Sequence, residues 1–95
     1  MIKRIVQMTF EPEHIETFKS FFEERKATIK NFDGCEFLEL WQDINEPNKF
    51  FTHSIWASEH HLNQYRFSEF FKDTWRQTKA MFAEKAQAWS VQVHD

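Results

Sequence analysis

The chain has 95 residues, a net charge of −3, 12 Phe, 4 Trp and one Cys. Its negative mean hydropathy and lack of a long apolar run exclude a membrane-spanning helix, and its interspersed charges leave no basic patch for nucleic acid. This length makes one domain, residues 1–95, and a domain this small does not easily bury so many aromatic rings, so the surplus points to a second copy. Residues 1–10 alternate in polarity, unlike a signal peptide, and the lone Cys35 has no internal disulfide partner. Both features fit the expectation of a reducing cytoplasm, a disulfide-free secreted protein being the alternative.

Residues 2–10 predict a first strand, with Val6, Met8 and Phe10 on one face and Ile5, Gln7 and Thr9 on the other. Glu11-Pro12-Glu13 opens a helix running to about Asn31, because proline and acids suit its first turn. Ile15, Phe18, Phe22 and Ile29 form its apolar stripe, widened by Phe21 and Phe32. Asp33-Gly34 ends the helix. The segment 35–43 then predicts a second strand, with Cys35, Phe37, Glu39 and Trp41 on one face.

Turn-forming residues 43–48 lead into a third strand, 49–57, and the two strands make a hairpin. The third strand's faces are Phe50/Thr52/Ser54/Trp56 and Phe51/His53/Ile55/Ala57. Both faces of this hairpin are apolar, so one should meet helices and the other a second sheet. Ser58 and Ser68 are N-caps for helices over 59–66 and 69–83, each followed by a glutamate. Phe71, Trp75, Thr78 and Phe82 mark the stripe of the last helix, and residues 88–94 alternate as a fourth strand. The order β-α-β-β-α-β is a ferredoxin-like α+β fold, a four-stranded antiparallel sheet with helices on one face.

This order, the length, and the segment Trp56-Ala57-Ser58-Glu59, Tyr65 and Ser68-Glu69-Phe70-Phe71 together resemble the antibiotic biosynthesis monooxygenase domain family. The resemblance covers nearly the whole chain. It implies a homodimer whose two sheets pack into an α+β barrel. It also implies oxidation of a small phenol, hydroquinone or polyketide anthrone by O2 with no metal, flavin or haem. A related branch that degrades haem carries a histidine three residues after a Phe-Lys pair. Trp75 stands at that place here, and a tryptophan does not ligate iron.

Within that frame His53 is the candidate general base, since a neutral imidazole accepts a phenol or enol proton near neutral pH. Trp56 is a candidate to stack on a planar substrate and hold an oxygen with its indole N–H, and Tyr65 to donate its hydroxyl. Phe71 and Trp75, four residues apart on one helix face, are candidate substrate-binding walls. Each has a plainer reading, as core packing or, for His53, as a hydrogen-bonding group on the dimer-facing side. Strand alternation puts His53 and Trp56 on opposite faces, so one pocket using both requires a bulge. His60 and His61 lack a third ligand at suitable spacing, nothing activates Cys35, and no glycine-rich loop is present to cradle a phosphate. The alternative to an enzyme is a dimeric module that holds a hydrophobic metabolite without turning it over.

Overall fold

A computed structural model describes residues 1–95. The elements are β1 (Ile2–Phe10), a 3-10 turn (Pro12–His14), α1 (Ile15–Lys30), β2 (Cys35–Gln42), β3 (Lys49–Trp56), α2 (Glu59–Arg66), α3 (Glu69–Lys79) and β4 (Phe82–Val91). The strands form one antiparallel sheet in the order β2-β3-β1-β4, and the helices cover one side of it. This is the ferredoxin-like α+β arrangement the sequence predicts. No helix is long and apolar enough to cross a membrane.

The Glu11-Pro12-Glu13 segment opens a 3-10 turn, and the α-helix itself starts at Ile15; at the two later helices the serine caps act as expected. The Ser58 hydroxyl accepts from the His61 N–H, and the Ser68 hydroxyl from the Phe71 N–H, so each satisfies a backbone donor that the first turn leaves free. Gly34 has φ +86°, a backbone region that side chains disfavour. Its carbonyl accepts from Ala57 N–H (2.8 Å), which ties the α1–β2 turn to the end of β3. The His61 ring closes over the same turn. Its Nδ1 meets Ser58 Oγ at 2.7 Å, and its Nε2 lies 3.5 Å from Asp33 Oδ2.

Three expectations are corrected. The last helix ends at Lys79 rather than residue 83, and β4 begins at Phe82 rather than residue 88. Residues 83–87 (Ala-Glu-Lys-Ala-Gln) have helix-forming composition, but pairing with β1 overrides it. Phe82 therefore belongs to the sheet, paired with Phe10, and not to the stripe of α3. Val93 lies beyond the strand. In β2, an irregularity between Cys35 and Phe37 sets Cys35 opposite Trp56. Cys35 therefore leaves the face of Phe37, Glu39 and Trp41 and packs against the core.

The core is largely aromatic and runs from Phe10, Phe18 and Phe50 at one end of the sheet to Trp56 and Tyr65 at the other. Phe10 stacks on Phe18 (4.1 Å between ring centres), and both rings meet Phe50 edge-on (5.8 and 5.3 Å). Arg25 joins α1 to α3. Its guanidinium donates to Asp73 (3.0 Å) and to Thr74 Oγ1 (2.9 Å), and it lies over the Phe21 ring. These contacts fix how the helices lie over the sheet.

Gly34→Ala should destabilise the fold by roughly 1–3 kcal/mol, because a Cβ there demands a strained φ and lands on the His61 side chain. Urea denaturation of the two proteins measures it. An unchanged midpoint would mean that the turn relaxes freely.

Candidate functional site

The side of the sheet facing the helices is not filled evenly. At one end stand Met8, Phe10 and Phe50, all buried. Towards the other end β1 and β3 present Val6, Thr52 and Ser54, and β4 presents Ala86 and Ala88, all small. The helices cannot collapse onto so low a floor, and a cavity of about 360 Å³ remains beneath α2 and α3. This volume lies within the range of small-molecule sites, roughly 300–1,000 Å³. A second hollow between α1 and β2 (about 510 Å³) is shallow and edged by Lys19, Glu23, Lys26 and Lys30. Its lining is mostly charged or polar, whereas that of the first is mostly apolar.

Trp56, Tyr65, Phe71 and Trp75 all line the cavity. Trp56 is 1% exposed, and its indole N–H donates to Ser54 Oγ (3.0 Å). One face of its ring stacks on Tyr65, at 4.9 Å and 22°. The indole N–H expected to hold a substrate oxygen is thus already engaged, and Trp56 serves as a fixed wall. Phe71 and Trp75 lie nearly parallel (8°), with ring centres 6.0 Å apart, one helical turn apart on α3. Both are half-buried, so part of each ring remains available.

Tyr65 is held by Trp56, by Phe32 and by Phe71, the last two at 4.9 and 5.0 Å edge-on. Burial, and then the neighbouring Cys35, push its phenol above the ordinary range. The hydroxyl therefore keeps its proton and acts as a donor.

His53 is not with them. Its position in β3 pairs with Ile5 and Glu39 on the opposite face of the sheet. No bulge in β3 turns it round. The ring lies between Phe37 and Trp41, at 5.3 and 5.0 Å. The bulge that one pocket using both His53 and Trp56 would require is absent, and His53 stands apart from the cavity lined by Trp56, Tyr65 and Trp75. That outer face carries Phe37, Trp41, Trp89 and Val91, between 36% and 47% exposed in the single chain.

The two charged wall residues, Arg4 and Arg66, were not singled out from the sequence. The signal for Arg4 was its parity, since it alternates with Val6, Met8 and Phe10 on an apolar face. Burial, and then the charge of Arg66, lower its pKa, yet a guanidinium remains cationic. No histidine or carboxylate lines the cavity. No group of three or more His, Cys, Asp or Glu side chains converges anywhere in the chain.

The sequence profile of the family described as antibiotic biosynthesis monooxygenase matches residues 1–77. The chain belongs to that family. Among solved structures, one titled as an antibiotic biosynthesis monooxygenase superposes with a TM-score of 0.93 at 19% identity, over 100% of both chains. A conserved protein of Methanosarcina mazei Go1 gives 0.91 at 16% identity, over 96% of this chain and 90% of its own. The Rv0793 protein of Mycobacterium tuberculosis gives 0.89 at 13%, over 99% and 95%. At these identities the likeness establishes the fold. No curated protein matches the sequence. The family's region takes in Trp56, Tyr65, Phe71 and Trp75 and stops short of β4, whose alanines complete the cavity floor.

The only tyrosine gives a direct check of the site's enclosure. As pH rises past the ordinary value of ~10, the absorbance of a phenolate should be absent while the protein stays folded. The raised folded pKa stabilises the protein fully below the unfolded value and is lost as pH climbs above it towards the folded one. Phenolate absorbance growing in at an ordinary pH, with the fold intact by circular dichroism, would place Tyr65 in solvent.

Proposed function

We propose that the cavity under α2 and α3 is the active site of a cofactor-independent monooxygenase acting on a small planar aromatic, of hydroquinone or anthrone type. The observation that carries this reading is a largely apolar cleft walled by Trp56, Tyr65, Phe71 and Trp75 in a chain of this family. The family supplies the reaction class, and the cleft supplies a largely apolar place for it.

The chemistry asks for a substrate that gives up electrons itself. Loss of one proton from the methylene of an anthrone leaves a carbanion. The carbanion passes one electron to O2, and the radical and superoxide recombine as a C–O bond. The resulting hydroperoxide loses water across the C–H and O–O bonds to give the ketone. In sum, the methylene and one molecule of O2 become a carbonyl and one molecule of water. Every electron that the oxygen takes up comes from the substrate. The wall contributes flat surfaces that orient the ring, a Tyr65 hydroxyl able to donate to a developing oxyanion, and exclusion of bulk water from the radical pair. Without an imidazole on the wall, the proton leaves to water at the mouth.

His53 takes a different role in this reading. With Phe37 and Trp41 it belongs to the outer sheet face, which we assign to contact with a second copy of the chain. A single sheet with helices on one side leaves its other apolar face wet unless something covers it. The cavity's lack of a histidine or carboxylate favours the second reading, a dimeric binding module that does not turn its ligand over, and oxygen uptake separates the two.

Metal-stripped protein should consume O2 above autoxidation with at least one of a panel of hydroquinones, anthrones and anthracene-diols. Trp75→Ala should lower kcat/KM about tenfold, and His53→Ala should leave it within about twofold. Binding without uptake across the panel would favour the module. In sedimentation, the protein should run as a dimer at micromolar concentration, and Trp41→Lys should return it to 11.7 kDa. A monomeric wild type would remove the proposed interface.

A further inference from the structure

Two guanidiniums stand at the wet end of the cavity with no counter-charge. Arg4 points to the helix side of the sheet, between Ser54 on β3 and Ser90 on β4. It is half-buried, and its Nη1 donates to Ser90 Oγ (2.9 Å). Arg66 is the last residue of α2 and is exposed. Both line the same cavity as Trp56 and Tyr65. The arginines in the chain's ion pairs are Arg25 and Arg76, and neither Arg4 nor Arg66 has a carboxylate partner.

This arrangement runs against the chain's own balance of 15 acids and 12 bases. Two like charges facing one apolar cavity repel each other, and the one partly withdrawn from water also loses hydration. An anion bound between them would offset both costs, and guanidinium–oxyanion hydrogen bonds are among the stronger contacts available.

We propose that Arg4 and Arg66 form an anion subsite of the cavity, and that the ligand is an aromatic molecule with an ionised oxygen lying between the two guanidiniums while its ring lies against Phe71 and Trp75. The proposal rests on the cavity's being the ligand site. The shared chemistry is an anionic oxygen on a planar frame. It is either a carboxylate that anchors the molecule or the ionised phenol or enol oxygen itself. In the second case the arginines perform the task for which no base is present. They stabilise the substrate's anion and so lower its pKa within the site, and the proton goes to water.

Calorimetric titration of the full chain with 2-naphthoate, 2-naphthamide and 2-naphthol tests this. 2-Naphthoate should bind about tenfold more tightly than the neutral amide, with the preference shrinking as salt rises. Arg66→Gln, an exposed substitution that leaves the core untouched, should cut the preference to about twofold, and Arg4→Gln should do the same. Arg4→Lys, which keeps the charge, should retain part of it. The ionisation of bound 2-naphthol, read from its absorbance, assigns the subsite. A fall of about one pH unit that Arg66→Gln abolishes identifies the reacting oxygen as the anion. No fall, with naphthoate still preferred, identifies a carboxylate. Equal binding of naphthoate and naphthamide, unaltered in Arg66→Gln, overturns the anion subsite and leaves the cavity standing. Binding of none of the three overturns both.

Discussion

The pleat of β3 decides where chemistry can take place in this protein. Successive side chains on a strand face opposite ways, and β3 carries apolar or aromatic residues in both directions. Phe50 and Trp56 go to the helices, and Phe51, His53 and Ile55 go to the bare face. In a layer flanked by helices on one side only, this splits the molecule's functions. One face can hold a ligand, and the other must be covered. An imidazole on the wrong parity cannot be moved across without slipping the register, which would expose Trp56 and bury His53.

The cavity follows from a gradient in side-chain size along the helix-facing side. Where β1 and β3 present Phe10 and Phe50, the Phe18 ring of α1 packs against both. Where the floor drops to Thr52, Ser54, Ala86 and Ala88, space remains, and α2 and α3 roof it with aromatics already braced against one another. A cleft of this size, lined mainly by apolar side chains, is suited to burying an apolar ligand. The stacked Trp56–Tyr65 pair makes the wall rigid, which lowers the ordering cost of binding.

The elements were legible where a single residue type fixes the backbone. Ser58 and Ser68 cap their helices, and Gly34 takes the positive φ its turn requires. Parity along β1 and β3 was equally legible, and it already separated His53 from Trp56. The start of β4 was not, because Ala83 to Gln87 favour helix locally and only pairing with β1 makes them strand. The face of Cys35 was not, because a bulge leaves no mark in the alternation of β2. Four of the five site candidates, Trp56, Tyr65, Phe71 and Trp75, do meet on one cavity. Its extent was illegible, since it depends on how α3 leans over β4. In the sequence Arg4 reads, beside Lys3, as an ordinary strand charge, although it shares a face with Val6 and Met8.

The central claim is that ligand enters between the sheet and the helices and not on the face that carries His53. The four indole N–H signals in a two-dimensional NMR spectrum report on both faces at once, Trp56 and Trp75 from the cavity, Trp41 and Trp89 from the outer sheet. Addition of 2-naphthoate to the labelled protein should shift the signals of Trp56 and Trp75 and leave those of Trp41 and Trp89 in place. Movement of Trp41 and Trp89 with Trp56 and Trp75 unmoved would contradict the account and put the site beside His53.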